Sequence, residues 1–377
     1  MTGVVEGKVE QIFIHNGDEK KETSEAGKGD LITFKVPSQI RKGDELYLWS
    51  ERKISQSDAI KPKEELHILL FYKFVNIENP EKTKKEILEY CQSNNLLGRI
   101  LVGEEGINGS VSGNAKQTES FKKFMHSKEK FSDLRFKDDI GLEHPFSKMR
   151  VLIKKEIVAL GVPVNLSNGG EYISPEKLEE TYKKEKVGKD FIMLDTRNDY
   201  EFKVGHFKNS EHLNIKTFRQ FPEAVKNSEK LAKFKDKKVI MCCTGGIRCE
   251  KASAFMKENG FKNVYQLHDG IINFGKKLPE SELWEGKNFV FDKRLVAPIS
   301  EVGGSKEALT KCELCGKLSD LYRNCRNTDC DKLFTACKKC QQDYNGCCSV
   351  DCFKEFKIQC ENKSARKQGR RQEVVLN

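Results

Sequence analysis

Nine prolines and 28 glycines without a glycine period are too few for a collagen-like or low-complexity polymer in a chain of 377 residues. Long apolar runs are also missing. The longest mainly apolar stretch, residues 157–166, carries Pro163 and falls far short of the roughly 18 residues that cross a bilayer. The first residues have no basic start, continuous apolar segment or small-residue cleavage site of the kind a secretory signal needs, so a cytoplasmic location is expected and no membrane partner. None of the seven histidines stands in a His-x-Asp or His-x-Glu pair, which removes the usual local half of a facial iron triad. A Gly-x-Gly-x-x-Gly run for flavin or nicotinamide is lacking too, and no internal repeat is visible.

What is present is length for two to three domains, with 37% hydrophobic and 33% charged residues. The formal charge of +10 favours a polyanionic partner through counterion release, although a merely basic surface would read the same. Cysteine usage says more: ten of the 14 cysteines lie between Cys312 and Cys360. Such clustering in a cytosolic chain points to metal rather than disulfides.

Five segments follow from the patterning. Residues 1–62 read as short strands (Gly7 to Ile14, Asp30 to Val36, Asp44 to Trp49) broken by glycine turns, and predict a small β-barrel followed by a polar linker. Residues 63–165 run strand, helix, two strands, helix, then strands around 134–136 and 149–158, the βαββαβ order of a ferredoxin-like α+β domain. The Gly103-Glu104-Glu105-Gly106 turn inside it reads as a simple hairpin or as a functional loop. Residues 166–300 open on Ser174-Pro175-Glu176, a helix start with an N-cap hydroxyl and a proline at the first helical position. Strands at 191–194, 212–215, 239–242 and 264–267 then alternate with helices, as in an α/β domain with a covered parallel sheet. Residues 301–360 form the Cys-rich module, and 361–377 a basic tail that is solvated or touches RNA.

The sharpest local feature is Lys238-Val-Ile-Met-Cys-Cys243-Thr244-Gly245-Gly246-Ile247-Arg248-Cys249. A β-branched strand runs through a glycine-bearing loop straight into a helix. A loop curled around one side chain aims backbone N–H groups at it, and the helix start adds positive potential. Cys243, at the head of the loop, is therefore expected to be thiolate-rich, as a sulfur nucleophile requires. Gly245 and Gly246 permit close backbone approach and Arg248 supplies a cation. Cys242 points to the other face of the strand, as a packed thiol. Cys249 is either a resolving thiol or a core residue.

Together with Leu194-Asp195-Thr196-Arg197, Tyr200-Glu201 and Gly205-His206-Phe207, this loop resembles the rhodanese superfamily, in which the loop cysteine is the sulfur-based nucleophile. Within that resemblance Asp195 and Arg197 are an ion pair fixing the floor of the loop, with Thr244, Gly245, Gly246 and Ile247 as loop support. Adding Leu70-Phe-Tyr-Lys-Phe74, Gly98 to Gly109, Met149 to Val158 and Phe289-Val-Phe-Asp292 narrows it: residues 66–360 look like the rhodanese-containing tRNA uridine(34) hydroxylases. That resemblance implies oxygen-dependent conversion of the wobble uridine of tRNA to 5-hydroxyuridine, with O2 as co-substrate, Cys243 as the essential catalytic residue and Arg248 beside it. Residues 1–62 precede the matching part; their Gly7-to-Glu10 and Arg41-to-Leu46 strands faintly resemble small barrels of translation factors.

Four short-spaced pairs, Cys312/Cys315, Cys325/Cys330, Cys337/Cys340 and Cys348/Cys352, supply eight thiolates, enough for two structural Zn2+ sites. Cys347 and Cys360 are left over. Cross-braced and sequential pairings fit the spacing equally, and a redox relay or an iron–sulfur cluster are the alternatives. The basic residues Arg323, Arg326, Lys338 and Lys339 would face phosphate if the module is a tRNA platform; a structural lid is equally consistent. Three functions thus stand: a tRNA-modifying oxygenase, a sulfurtransferase carrying a Cys243 persulfide, and a non-catalytic RNA-binding adaptor. The intact loop and the flanking domains favour the first.

Overall fold

The computed structural model describes residues 65–141, 143–300, 302 and 307–360, together with the backbone of three strands nearer the N-terminus. The chain divides into two compact units, Met1–Lys61 and Pro62–Asn377.

In the first unit β1 (Gln11–Asn16), β2 (Glu19–Thr23) and β3 (Ile32–Lys35) pair antiparallel in the order β2-β1-β3. These three strands form one antiparallel sheet, and no closed barrel is seen among the described residues. The strand expected at 44–49, the linker up to residue 64 and the tail 361–377 lie outside the described residues.

The second unit opens with β4 (Leu66–Phe74), α1 (Pro80–Ser93), β5 (Leu97–Gly103), β6 (Gly106–Asn114), α2 (Ala115–His126), β7 (Phe136–Gly141) and β8 (Met149–Ile153). Their sheet has the order β7-β4-β6-β5-β8, with only β5 and β8 parallel. Local chemistry starts both helices: Asn79 accepts the Lys82 N–H ahead of Pro80, and Asn114 and Gln117 form a reciprocal capping box. Because strand side chains alternate, β4 has two jobs. Leu69 and Phe71 are buried with Phe121 and Ile87, each burial stabilising by about 1.5–3 kcal/mol. Leu70 and Tyr72 face the other way, and Lys137 is paired opposite Leu70 on β7.

Two expected strands are shifted. The strand expected from Leu134 begins at Phe136, because Leu134 closes a turn through its N–H to the Phe131 carbonyl (3.0 Å). The strand expected to reach Val158 ends at Ile153, after which the Glu156 carboxylate takes the N–H groups of Leu160 and Gly161 and the chain turns.

The α/β layer contains β9 (Glu171–Ile173), α3 (Pro175–Lys184), β10 (Phe191–Asp195), α4 (Asp199–Val204), β11 (Gly205–Phe207), β12 (Glu211–His212), α5 (Phe221–Lys226), α6 (Glu229–Ala232), β13 (Lys238–Cys242), α7 (Ile247–Glu258), β14 (Asn263–Leu267) and α8 (Gly270–Lys277). A five-stranded sheet of order β12-β10-β13-β14-β9 is parallel throughout. Ser174 caps α3 through the Lys177 N–H, as its sequence predicts. β12 stops at His212 rather than Ile215, because Asn214 takes a left-handed φ of 53°. Alternation on β13 builds both faces: Val239 and Met241 pack with Phe221 and Phe255, whereas Ile240 and Cys242 pack with Phe207 and Trp284.

Short pairs follow. β15 (Trp284–Gly286) returns to β11, β16 (Asn288–Phe289) pairs β17 (Val296–Ala297), and β18 (Tyr322–Asn324) pairs β19 (Leu333–Thr335) ahead of α9 (Lys338–Asp343) and a last helix over residues 350–360. Among the described residues no helix is long and apolar enough to cross a membrane.

Candidate functional site

β13 ends at Cys242, and the next four residues wrap Cys243 before α7 starts at Ile247. The turn depends on Gly246, whose φ of 99° suits glycine and whose missing Cβ would lie 2.9 Å from the Tyr72 hydroxyl. Gly246 N–H donates to Cys243 Sγ (3.1 Å), and the backbone N–H groups of Arg248 and Cys249 point at the same sulfur. Burial of Cys243 works against its ionisation. The Cys249 thiol, the Arg248 charge and those N–H groups outweigh burial and bring the thiol down to about 5. Cys242 and Cys249 are equally buried without such a cradle, and burial pushes both thiols up.

The structure gathers the remaining expected residues around this sulfur. Arg248 is held bidentate by Glu201 of α4 (2.6 and 2.7 Å), a carboxylate with no exposed surface. Asp195 and Arg197 form a fully buried pair (2.6 Å), with Arg197 also donating to the Gly205 carbonyl and to Asn288. The intervening Thr196 donates through N–H and hydroxyl to the Cys242 carbonyl, so the pair anchors the strand end that carries the loop. The hydroxyl of Thr244 is buried and has no hydrogen-bond partner among the described residues. Ile247 opens α7. His206 Nδ1 meets the Phe202 carbonyl (2.9 Å), a turn contact away from the sulfur.

Other contacts come from residues that local sequence reading does not single out. The outward face of the ferredoxin-like sheet lies on the loop: Leu70 is against Gly245, and Lys137 donates to the Gly245 carbonyl (2.5 Å) while pairing with Asp269 (3.1 Å). Burial draws the Lys137 ammonium below its ordinary range, with Asp269 and Cys243 opposing the shift. Tyr72 and Tyr172 both donate to Glu250 Oε1 (3.0 and 2.8 Å), and burial first, then Glu250, keeps both phenols protonated. Lys251, next on α7, is buried and bonds Glu105, Glu156 and the Val158 carbonyl. The Glu104-Glu105 turn is therefore more than a hairpin, because Glu105 ties the two layers together.

The C-terminal cysteines fall into two groups whose thiols lie within 4.8 Å of one another: Cys312, Cys315, Cys337, Cys340, and Cys325, Cys330, Cys348, Cys352. The first pair joins the third and the second joins the fourth, an interleaved arrangement. Sulfurs 2.3 Å from a tetrahedral centre stand about 3.8 Å apart; Cys315–Cys337, Cys330–Cys348 and Cys348–Cys352 are each at 3.7 Å, so the donor sets fit a metal ion. Cys347 is buried and Cys360 exposed, outside both groups. Arg323 and Arg326 are engaged within the module, on Gln341 and Asn345, whereas Lys338 and Lys339 are exposed.

A parallel sheet whose central strand feeds an anion-holding cysteine loop defines a rhodanese-like protein, here with a ferredoxin-like layer in front and a cysteine module behind. Family models match these parts in order: a UPF0176 acylphosphatase-like domain at residues 66–157, a rhodanese-like domain at 174–277 and a rhodanese C-terminal region at 285–353. A tRNA uridine(34) hydroxylase of Streptococcus agalactiae serotype III (strain NEM316) is 42% identical over 299 residues, covering 77% of this chain and 88% of its own. One from Streptococcus pyogenes serotype M5 (strain Manfredo) is 41% identical with the same coverage. The chain belongs to the tRNA uridine(34) hydroxylase family. A crystal structure of a rhodanese-related protein from Thermoplasma volcanium aligns with 28% of this chain and 92% of its own, at 23% identity and a TM-score of 0.23.

Proposed function

We propose that this chain is an enzyme that hydroxylates uridine 34 of tRNA at C5, using O2 as co-substrate and Cys243 as its nucleophile. The observation that carries the reading is the Cys243 thiolate, lowered to about 5 inside a cradle of N–H groups in a chain of this family. A thiolate adding to C6 of uracil forms an S–C6 bond and moves the π pair onto C5; O2, with two electrons and two protons from a cellular reductant, gives one oxygen atom to C5 and the other to water, and loss of the C5 proton then expels the thiolate and restores the C5–C6 double bond. Arg248 balances the sulfur's charge while Glu201 holds Arg248 in place. Asp195 and Arg197 keep the floor rigid, and Cys249 hydrogen-bonds Cys243 from the first turn of α7 as a support or resolving thiol. The sulfur is fully buried, so a base reaches it only when the loop opens. An anticodon-loop base is already single-stranded, and its extrusion costs only a few kcal/mol.

The two cysteine groups would hold two structural Zn2+ ions, which supply folding free energy to a segment with a small core of its own. With the ferredoxin-like layer, this module would present lysines such as Lys338 and Lys339 to the tRNA backbone in the cytoplasm. The test is nucleoside mass spectrometry of tRNA from cells lacking the protein, complemented with wild type or Cys243→Ala. Return of 5-hydroxyuridine derivatives with wild type alone is expected. Equal return with Cys243→Ala removes the thiol from the reaction, and sulfane sulfur on the purified protein with unchanged tRNA would favour a sulfurtransferase.

A further inference from the structure

Against the loop, between the ferredoxin-like sheet and the first turn of α7, lies a cleft of about 240 Å³ whose lining includes Tyr72, Arg135, Lys137, Tyr172, Glu250 and Asp269. It is smaller than the roughly 300–1,000 Å³ of common ligand pockets, a size for one nucleotide rather than a strand. Its lining carries three cations and three acids: Lys73 pairs with Asp133, Lys137 and Arg135 lie 3.1 and 3.8 Å from Asp269, and Glu250 is the third acid. A phosphate site would leave cations unmatched, so this lining suits the uncharged polar edge of a base.

Glu250 is the exception among these carboxylates. No cation pairs with it among the described residues, and only neutral donors hold it: the hydroxyls of Tyr72 and Tyr172 on Oε1, and Gln266 Nε2 on Oε2 (3.2 Å). An ionised carboxylate offers about four acceptor positions, which leaves one free on Oε2. Glu250 also stands two residues past Arg248 on the helix that helps cradle the Cys243 thiolate, and Tyr72 and Lys137 wall both the cleft and the loop.

We infer that this cleft is the subsite for the base and that Glu250 accepts the N3–H of uracil, selecting uridine over cytidine; the inference rests on the uridine hydroxylation proposed above. Extruded bases are read on their Watson–Crick edge and stacked on aromatic rings, and Tyr172, 52% exposed, offers such a face. Uracil presents a donor at N3. Cytosine presents a lone pair there, which an acceptor-only carboxylate repels.

The experiment measures binding of the full-length Cys243→Ser protein to tRNA transcripts that differ only at position 34 (uridine, N3-methyluridine or cytidine), with and without Glu250→Gln. A uridine preference of roughly 10- to 100-fold over both alternatives is expected with Glu250. It should fall to within about threefold with Glu250→Gln, because an amide also donates to cytosine N3. A tRNA abasic at position 34 should bind both proteins equally, which separates base reading from misfolding. Unequal abasic binding moves the comparison to Glu250→Asp, which keeps the carboxylate and is expected to keep the order of preference. Equal uridine-to-cytidine ratios with and without the Glu250 change overturn the inference. Turnover by the Cys243 enzyme separates the two readings: hydroxylation of uridine 34 with unchanged ratios sinks the base subsite alone, whereas lost selectivity without any hydroxylation keeps the subsite and sinks the reaction.

Discussion

A thiol as fully buried as Cys243 is ordinarily a weaker acid, as its neighbour Cys242 is. One residue along the strand the sign reverses, because loop N–H groups, the Cys249 thiol and Arg248 all favour the charged sulfur. The folded thiol ionises near pH 5, so the thiolate dominates above that pH and disappears as pH falls through it. In the difference between wild type and Cys243→Ser, the ultraviolet absorbance of thiolate should therefore rise in one step centred near 5; a step near the ordinary thiol value would show that the cradle does not act. Glu201 tests the support of the same site. Removing one partner of a buried, hydrogen-bonded ion pair leaves an uncompensated charge and costs about 3–5 kcal/mol. Urea unfolding of Glu201→Ala should show a loss of that order, with Arg248 unpaired, and an unchanged midpoint would mean that Arg248 finds another partner.

Elements, rather than single residues, bring the layers together, and here the sequence was only partly legible. The cysteine loop could be read because all its chemistry lies within a few consecutive residues, and the α3 start because Ser174 and Pro175 act on their own helix. The contacts of Tyr72 and Lys137 with the loop could not, since they depend on which face of β4 and β7 looks outward and join positions 178 and 108 residues apart. Glu105 was hidden for the same reason. Its glycine neighbour marks a turn, Gly106, at φ 144° with no room for a Cβ 2.1 Å from the Lys73 carbonyl, but nothing local points 146 residues ahead to Lys251. That lysine fixes the helix carrying the loop to the turn and to Glu156. Lys251→Met removes the buried cation shared by Glu105 and Glu156, leaving only the exposed Arg219 near Glu156 (3.6 Å), and an unsatisfied buried group costs about 1–3 kcal/mol, more when charged. A lower melting temperature together with a raised KM for tRNA is expected. An unchanged melting temperature would show that the latch contributes nothing to the layer interface.

For the whole molecule, the cysteine module raises the question of cooperativity, and spacing alone left it open because sequential and interleaved pairings use the same eight thiols. In the interleaved arrangement each group is made of pairs that flank a pair of the other, with β18 and β19 running between them. Losing either ion therefore frees a segment that the remaining ion needs held. Sequential sites would behave independently. Elemental analysis should give two zinc ions per chain, and titration with a thiol-blocking mercurial should release both in a single cooperative phase. Cys340→Ser should likewise leave less than one zinc instead of one. Lys287 pairs with Asp320 and Phe289 packs edge-on to Tyr322, 5.8 Å between ring centres, so the module leans on the α/β layer, whose own core is built from β10, β13 and β14 without any of these cysteines. Metal removal should accordingly expose the backbone of residues 307–360 to hydrogen exchange while the strands of the α/β sheet stay protected. Two separated release phases, with one zinc kept by Cys340→Ser, would exclude the interleaved pairing.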